Sequence, residues 1–526
     1  MLDMRDLKAQ DLQGLSDEAA QRIVEHIQRQ AREIALKDAK LHKVSFELAR
    51  LKAWRFAAKT EAMNAQQRQM FEDTLVEDEA SLQAQLQALR QTPVKDPGEK
   101  RKPRRQALPE HLKRVEHRHE PEDTTCPTPG CAAPMTRVGE DISERLDIVP
   151  AEFFVHRHIY GKWTCRCCQR LVQEAAEPQI IDGGMPASGL VAHTLISRFV
   201  DHLPYYRQET INARAGVHTP RSTLAAWSGR GGAALQPLYD AHKRFVLSER
   251  VVHADETPVA LLDPGAGKTK KAYVWAYARG ALSDTPGVIY DFCLGRGAQY
   301  PVSFLQWPGR DAPEHWRGTL VCDRYQAYDT VLDPKRYPGR IAAACLAHAR
   351  RKFDELLKAN ASAMAEEAVR RIAAIYRIER ELASLEPDDR LAMRHARAKP
   401  LWEELQRWLQ LERRRVADGG ATAKAIDYSL NNWTVLTRNL HDGAVPLDNN
   451  HLENQMRPWA MGRKAWLFAG SELAGQRAAI VMSLVQSAKL NGHDPWAYLR
   501  DVLQRLPTHL NSRIEELLPH RWQPQG

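Results

Sequence analysis

The middle of the chain contains short apolar runs separated by polar, turn-rich segments. Residues 251–252, 273–278, 288–292 and 319–322 are rich in β-branched, aromatic and small apolar side chains, which is typical of buried strands. Residues 298–305 fit a short helix before the last of these runs. The pattern predicts the order strand, strand, strand, helix, strand in an α/β domain.

A helical pattern follows between residues 363 and 411. This segment is rich in Ala, Glu, Arg and Leu, and it places Ile372, Ile375 and Leu382 at helical spacing. The interval that contains it is too long for a single connection inside a compact sheet. We therefore expect a helical insertion, at about residues 350–440, within the α/β domain.

The first hundred residues show a seven-residue apolar repeat. The residues at this spacing are Ile27, Ile34, Leu41 and Leu48, and later Leu75, Leu82 and Leu89. A heptad repeat is typical of a coiled coil, so we expect the chain to form a homo-oligomer through this region. The alternative is a helical hairpin within one chain, because the repeats are short.

Two short helices are expected after residue 203. The first begins at Pro204 and runs through Arg214, Gly216 ends it, and residues 219–220 (Thr-Pro) suit the start of a second helix that reaches Trp227. The arrangement resembles a helix-turn-helix, in which the start of the second helix enters the major groove. The candidate DNA-binding residues there are Arg221, Ser222 and Thr223. A plain helical hairpin is the alternative.

The net charge of the chain favours a polyanionic partner. The 526 residues carry a formal net charge of +9, which favours contact with nucleic acid. Residues 100–105 (KRKPRR) and 111–119 form a basic stretch with prolines nearby, typical of an exposed linker that contacts phosphates or is simply solvated. No apolar run is long enough to span a membrane and the start lacks a signal-peptide core, so we expect a cytoplasmic protein without a membrane partner.

Five of the eight cysteines fall close together in the sequence. Four of them form two close pairs, Cys126-x4-Cys131 and Cys165-x2-Cys168, with Cys167 left over. Two close thiolate pairs suit a tetrahedral, structural Zn²⁺ ion. His156 and His158 are alternative ligands, and reduced buried cysteines without metal are the alternative interpretation.

Three acidic residues stand in settings that suit metal chemistry. Asp255 and Asp323 follow the apolar runs at 251–252 and 319–322, so both are expected where a buried strand emerges. Glu453 stands near the start of an expected helix that also carries the candidate phosphate-binding residues Arg457, Arg463 and Lys464. Clustered carboxylates can hold the divalent ions that drive phosphodiester chemistry. Each aspartate taken alone also fits a turn or cap residue.

The motifs around these acids resemble those of the insertion-sequence-66 transposase family, a bacterial DDE group. The matching strings are HADETPV around Asp255, CDRYQAYD around Asp323, CLAHARRKFDEL from Cys345, LDNNHLENQMRP with RKAWLFAGS around Glu453, and DVLQRLPTHL near the C-terminus. They span nearly the whole chain and are specific in combination. A pair spaced like Cys345 and His348 occurs in several DDE groups with insertions; a core role and a ligand role are both open for it.

The resemblance implies an RNase H-like catalytic core in which Asp255, Asp323 and Glu453 bind Mg²⁺ (or Mn²⁺). It also implies cleavage at the ends of a mobile element, followed by transfer of the freed 3′ hydroxyl to target DNA. Element-end and target DNA are the expected partners, together with small accessory proteins encoded by the same element. The alternatives are a nuclease of the same fold and an inactive, transposase-derived DNA-binding regulator.

These expectations divide the chain into six regions. They are a helical, coiled-coil region at 1–98, a basic linker at 99–122, a zinc-binding module at 123–176, a helix-turn-helix-like segment at 183–246, the catalytic domain at 247–475 and a C-terminal helical region at 476–526. In the cell, such a protein is expected at the nucleoid when it is bound to DNA.

Overall fold

The computed structural model describes most of the chain beyond residue 112. The described residues are 36–49, 65–89, 112–131, 133–149, 152–181, 183–263, 268–306, 315–360, 362–466 and 469–524, with a few single residues before 112. Parts of the expected coiled coil, including Ile27, and the basic run at 100–105 lie outside them. In the part of the chain that the structure describes, every helix is too short or too polar to cross a membrane.

The N-terminal part contributes helices and a small sheet. Residues 36–49 are helical, and a long helix, α1, follows at Ala65–Leu89. The sheet contains β1 (Lys113–His119), β2 (Met135–Val149), β3 (Glu152–Cys165) and β4 (Leu171–Gln173). β3 lies at its centre, parallel to β1 and antiparallel to β2 and β4.

Four helices connect this small sheet to the larger one. They are α2 (Ser188–Phe199), α3 (Tyr205–Arg214), α4 (Arg221–Ala234) and α5 (Gln236–Leu247). The first predicted helix is confirmed as α3, and Gly216 after it has a φ of 77°, a conformation that glycine adopts without strain. The predicted end of the second helix at Trp227 is wrong, because α4 continues to Ala234.

The larger sheet has five strands with both parallel and antiparallel pairs. Its elements are β5 (Val251–Asp263), β6 (Lys268–Arg279), β7 (Val288–Cys293), α6 (Gln299–Phe304), β8 (Gly318–Cys322), α7 (Ala327–Val331) and β9 (Arg340–Ala344). The strand order is β7-β6-β5-β8-β9, and β6 alone runs antiparallel to its neighbours. The predicted order of strands and helix is confirmed as far as β8. β9 was not predicted, because its sequence RIAAA carries little strand preference.

Helices fill the interval between β9 and residue 440. They are α8 (Leu346–Asn360), α9 (Ala363–Glu381), α10 (Pro387–Met393), a π-helical turn (Arg394–Ala398), α11 (Lys399–Arg413), α12 (Ala421–Asn431), α13 (Trp433–Leu436) and a 3₁₀ turn (Arg438–Leu440). They share a core of their own, which includes Ile372, Ile375, Trp402 and Leu409. The predicted helical segment is therefore confirmed, and Ile372 and Ile375 are buried in its core as their spacing predicts.

The C-terminal helices close the larger sheet. They are α14 (Asn450–Trp466), α15 (Glu472–Leu490), α16 (Pro495–Arg505) and a 3₁₀ turn (Asn511–Leu517). The backbone amides of Val288 and Tyr290 donate to the hydroxyls of Ser487 (3.0 Å) and Ser483 (2.9 Å) on α15. Because β7 is an edge strand, these serines satisfy amides that would otherwise lack a partner in the interior.

Helix α1 packs against α4 and α15 of the same chain. Leu75 and Leu82, two of the heptad residues, are buried in the core that also contains residues of α4 and α15. Arg477 on α15 is almost fully buried and pairs with Glu77 and Asp78 on α1. This part of the repeat therefore packs within the chain, and self-association through the N-terminal region stays a prediction.

Candidate active site

Asp255 and Asp323 lie side by side where the parallel pairing of two adjacent strands, β5 and β8, ends; we call this side of the larger sheet its acidic edge. Asp323 directly follows β8, as predicted, whereas Asp255 lies inside β5. The expectation of a strand end at Asp255 was wrong because β6 pairs with β5 from Val252 to Asp263. The parallel pairing of β5 with β8 nevertheless ends at His253. Asp255 thus comes two residues after the end of the parallel pairing, level with Asp323.

Local hydrogen bonds orient both aspartates. The backbone amide of Glu256 donates to Asp255 Oδ1 (2.8 Å), and the amide of Tyr325 donates to Asp323 Oδ1 (2.9 Å). Between Asp323 and Tyr325, Arg324 has a φ of 67°, which is uncommon for a residue with a side chain. The turn after β8 therefore fixes the direction of the Asp323 carboxylate at some cost in backbone strain.

Glu453 lies in the first turn of α14, and Asn449 ties the start of this helix to β5. Asn449 is fully buried; its Nδ2 donates to the carbonyl of Ala254 (3.0 Å) and its Oδ1 lies 2.7 Å from His253 Nδ1. The amide of Ala281 donates to His253 Nε2 (3.2 Å), so the ring proton is on Nδ1 and is donated to Asn449. Burial lowers the pKa of His253 to about 4, which keeps this ring neutral. His253 and Asn449 were not recognised from the sequence, where both look like ordinary polar residues in their motifs.

The three acids interact electrostatically. The pKa of Asp255 is raised to about 7, mainly by burial and then by the charge of Glu256, with further contributions from Asp323 and Glu453; the Glu256 amide opposes the rise. A carboxyl group in this position is partly protonated near neutral pH. A divalent cation bound beside Asp255 would lower the pKa of this carboxyl group, because it adds an attraction that opposes the repulsion between like charges.

Glu256, which follows Asp255 in β5, provides a fourth carboxylate. Its side chain accepts hydrogen bonds from one cationic and one neutral side chain. Arg296 Nε donates to Glu256 Oε1 (2.7 Å), and the hydroxyl of Tyr328 donates to Glu256 Oε2 (3.1 Å). Burial raises the pKa of Glu256, and Arg296 opposes this. The guanidinium of Arg296 also lies 3.5 Å from the centre of the Tyr325 ring. These contacts hold Arg296 beside the turn that carries Asp323.

Glu453 also faces the C-x2-H pair at the start of α8. Its Oε1 lies 3.8 Å from His348 Nδ1, and Arg351 donates to its Oε2 (3.4 Å). The amide of Asn449 donates to Cys345 Sγ (3.2 Å), and burial raises the pKa of this thiol to about 12. Cys345, His348 and Glu453 have ligand atoms that all lie within 4.8 Å of one another. Neither aspartate belongs to a group with this spacing in the described part of the chain.

The four predicted cysteines converge beside the small sheet. Cys126 and Cys131 lie in the loop before β2, Cys165 ends β3, and Cys168 lies in the turn before β4. The Sγ atoms of Cys126 and Cys168 are 3.0 Å apart, those of Cys131 and Cys165 are 3.7 Å apart, and all four lie within 4.8 Å. Four free thiols at this spacing fit a tetrahedral zinc ion. Cys167 is exposed and outside the group.

His156 and His158 do not join this cysteine group. His156 Nδ1 lies 2.8 Å from His117 Nε2, and His158 Nδ1 lies 3.1 Å from His119 Nε2. The four rings form a ladder across the parallel strands β1 and β3. The suggestion that these two histidines replace cysteine ligands is therefore wrong.

The candidate DNA-binding residues have different surroundings. Ser222 is exposed and Thr223 half-buried at the start of α4, while Arg221 forms an ion pair with Asp73 of α1 (3.6 Å). Arg457 is exposed on α14, and the side chains of Arg463 and Lys464 lie outside the described residues. Contact of any of these six residues with DNA stays a prediction.

The carboxylates of the larger sheet and the group of four cysteines fit a protein of the transposase class. The chain belongs to the Transposase IS66 family, whose model matches residues 183–477. Three further models match parts of the chain: the IS66 C-terminal element at 483–520, the zinc-finger binding domain of transposase IS66 at 123–169, and Transposase C of IS166 homeodomain at 44–116. The zinc-finger match and the cysteine geometry together support a structural zinc ion.

Three relatives come from Sinorhizobium fredii (strain NBRC 101917 / NGR234). The chain is 38% identical to the uncharacterized protein y4jD over 79% of its own length and 81% of that protein. It is 36% identical to the uncharacterized protein y4qI, over 81% and 79% of the two chains. It is 32% identical to the uncharacterized protein y4hP, over 85% and 81%. The similarity thus extends over most of each chain.

Proposed function

We propose that the protein cleaves the ends of a mobile DNA element and transfers the freed 3′ hydroxyl strands to target DNA. The observation that carries this proposal is the meeting of Asp255 and Asp323 at one sheet edge with Glu453 on the helix that Asn449 ties to it. The reaction is a metal-dependent phosphoryl transfer, and the chain would act as a polynucleotidyl transferase. Its place of action is the cytoplasm, at the DNA of the nucleoid.

Asp255, Asp323 and Glu453 would hold Mg²⁺ or Mn²⁺. Their donor atoms are all oxygens, which both ions prefer. Burial, and then the charges of Glu256, Asp323 and Glu453, raise the pKa of Asp255, and a bound cation would favour the ionised carboxylate against both effects. When bound, the metal would activate the attacking oxygen and stabilise the leaving oxygen of the phosphodiester. The chain itself orients the carboxylates, through the amides of Glu256 and Tyr325 and the side chain of Asn449.

The strand arrangement supports an RNase H-like core. Three consecutive strands form an antiparallel group at one side of the sheet, and two parallel strands extend it past β5. The acids lie where β5 and β8 diverge, which is the side of an open sheet where ligands bind. The helices of residues 346–440 would then be an insertion between the second and third acids.

DNA contacts are proposed for residues of two helices, α14 and α4. Arg457, Arg463 and Lys464 would neutralise phosphates near the acids, and Arg221, Ser222 and Thr223 would contact the element ends. Arg221 would have to leave Asp73 in order to bind a phosphate. A homo-oligomer joined through the N-terminal region would bring two active sites to two ends, with accessory proteins of the same element as further partners.

The substitution Asp323→Asn tests this proposal against a matched control, Asp333→Asn. Each carboxylate accepts a bond from the amide two residues later, at 2.9 Å, so the two substitutions perturb similar turns. We expect Asp323→Asn to bind element-end DNA normally and to lose more than about 100-fold in cleavage and joining, because even outer partners of metal ligands cost 10–100-fold. Asp333→Asn should react like the wild type. Normal joining by Asp323→Asn would remove this residue from the site.

A further inference from the structure

Three side chains of metal-ligand type meet where two helices begin. Cys345 directly precedes α8 and His348 lies in its first turn, while Glu453 lies in the first turn of α14. One ligand atom from each lies within 4.8 Å of the other two. In the described part of the chain, the only other group with this property is the four-cysteine group of the small sheet.

The atoms that face each other in this group lack hydrogen-bond partners. His348 Nδ1 and Glu453 Oε1 are both shielded from solvent and neither makes a hydrogen bond. Their separation of 3.8 Å is too long for a hydrogen bond. It is close to the spacing of about 3.4 Å between two ligands that each lie roughly 2.1 Å from a tetrahedral ion. A bound cation would satisfy two atoms that are otherwise costly to bury.

The ligand types in this group determine which class of metal ion it can bind. A thiolate and an imidazole are poor ligands for Mg²⁺ but suit zinc and similar transition metals. The Asn449 amide that donates to Cys345 Sγ (3.2 Å) favours the thiolate form that such an ion requires, against the burial that raises the pKa of this thiol, and a bound cation would favour the thiolate further. Three protein ligands leave one tetrahedral position open, as in zinc sites that bind water or substrate.

We propose that Cys345, His348 and Glu453 bind a zinc-class transition metal ion at a site separate from the four-cysteine centre. The fourth position of this ion is open to water or to a phosphate oxygen. If the proposed function holds, Glu453 serves two metal sites, and zinc bound to Cys345 and His348 competes with the role of Glu453 beside the aspartates. The binding itself does not depend on that function.

Zinc stoichiometry of the full-length protein tests this site. The protein is loaded with Zn²⁺ and freed of excess metal, and its zinc content is measured by inductively coupled plasma mass spectrometry. We expect Cys345→Ser and His348→Asn each to bind one zinc ion fewer per chain than the wild type. Cys293→Ser is the control: Cys293 is also buried, and its thiol donates to Asp291 (3.3 Å), a bond that serine can replace.

Equal zinc content in His348→Asn and the wild type would overturn the proposal. This variant decides the outcome even if Cys345→Ser fails to fold, because His348 is half-buried and its Nδ1 makes no hydrogen bond. Thermal melting checks that each variant is folded. The assay contains no DNA, so the zinc site and the transposase reaction can fail independently: Asp323→Asn should keep the full zinc content whatever its activity.

Discussion

At the scale of single residues, the orientation or position of each acid of the candidate site depends on a neighbour in sequence or space. Asp255 and Asp323 are oriented by backbone amides, and Glu453 is placed by the buried Asn449 at the start of α14. The sequence motifs predicted Asp323 after a strand and Glu453 near a helix start, which the structure confirms, but they predicted a strand end at Asp255, which lies inside β5. They could not reveal the bond between Asn449 and His253, since these residues are far apart in the chain.

The raised pKa of Asp255 predicts how stability depends on pH. In the unfolded chain this carboxyl has its ordinary pKa near 3.8, and in the folded protein the pKa is about 7. Between these values the folded state holds a proton that the unfolded state has lost, so the free energy of unfolding falls as the pH rises. Asp255→Asn removes this titration. Without divalent metal, the variant should match the wild type near pH 4 and exceed its stability by up to about 4 kcal/mol at pH 8.

Denaturant unfolding at several pH values measures this difference. Asp333→Asn, at a partly exposed carboxylate, should follow the wild-type profile. Addition of Mg²⁺ should stabilise the wild type and so reduce the difference in unfolding free energy between Asp255→Asn and the wild type at pH 8. If this difference is the same at pH 4 and pH 8, Asp255 is not the group that titrates.

At the scale of elements, the most informative difference from expectation is the length of α4. The part of α4 beyond Trp227 contains Gly229, Gly231 and Gly232, although glycines disfavour helix interiors. In the structure they permit close packing: a Cβ at Gly229 would lie 2.2 Å from the carbonyl oxygen of Glu77, and one at Gly232 would lie 2.4 Å from Arg477. Local propensity could not predict this, because the reason lies in α1 and α15, which are far away in the sequence.

The docking of α1 depends on the buried charges of Arg477, Glu77 and Asp78. Arg477→Met removes the cation and leaves two buried carboxylates without it, which typically costs about 3–5 kcal/mol. We therefore expect a markedly lower melting temperature and faster proteolysis within α1. Arg397→Met is the control, because its pair with Glu381 is largely exposed and such pairs contribute about 0–1 kcal/mol. Similar melting temperatures for the two variants would mean that α1 docks through apolar contacts alone.

At the scale of the whole molecule, local patterns predicted groups of elements but not how these groups pack together. The cysteine pairs, the strand runs and the helical periodicity each depend on residues close together in the sequence. The contacts between modules join residues hundreds of positions apart, such as Val288 with Ser487 and Arg477 with Glu77. The heptad repeat shows that spacing does not identify the packing partner. Leu75 and Leu82 pack against their own chain, although the spacing alone equally favours a second copy of the chain.

The proposed active site is tested most directly by a reaction of the purified protein with labelled element-end DNA and Mg²⁺, scored for both cleaved and joined products. The wild type should give both, and Glu453→Gln should give neither while it still binds the ends. Glu472→Gln is the control, since Glu472 is also a first-turn glutamate but is exposed on α15. Cleavage without joining by the wild type would favour a nuclease, and end binding without reaction would favour a regulator. Joined products from Glu453→Gln at the wild-type level would contradict the proposed active site.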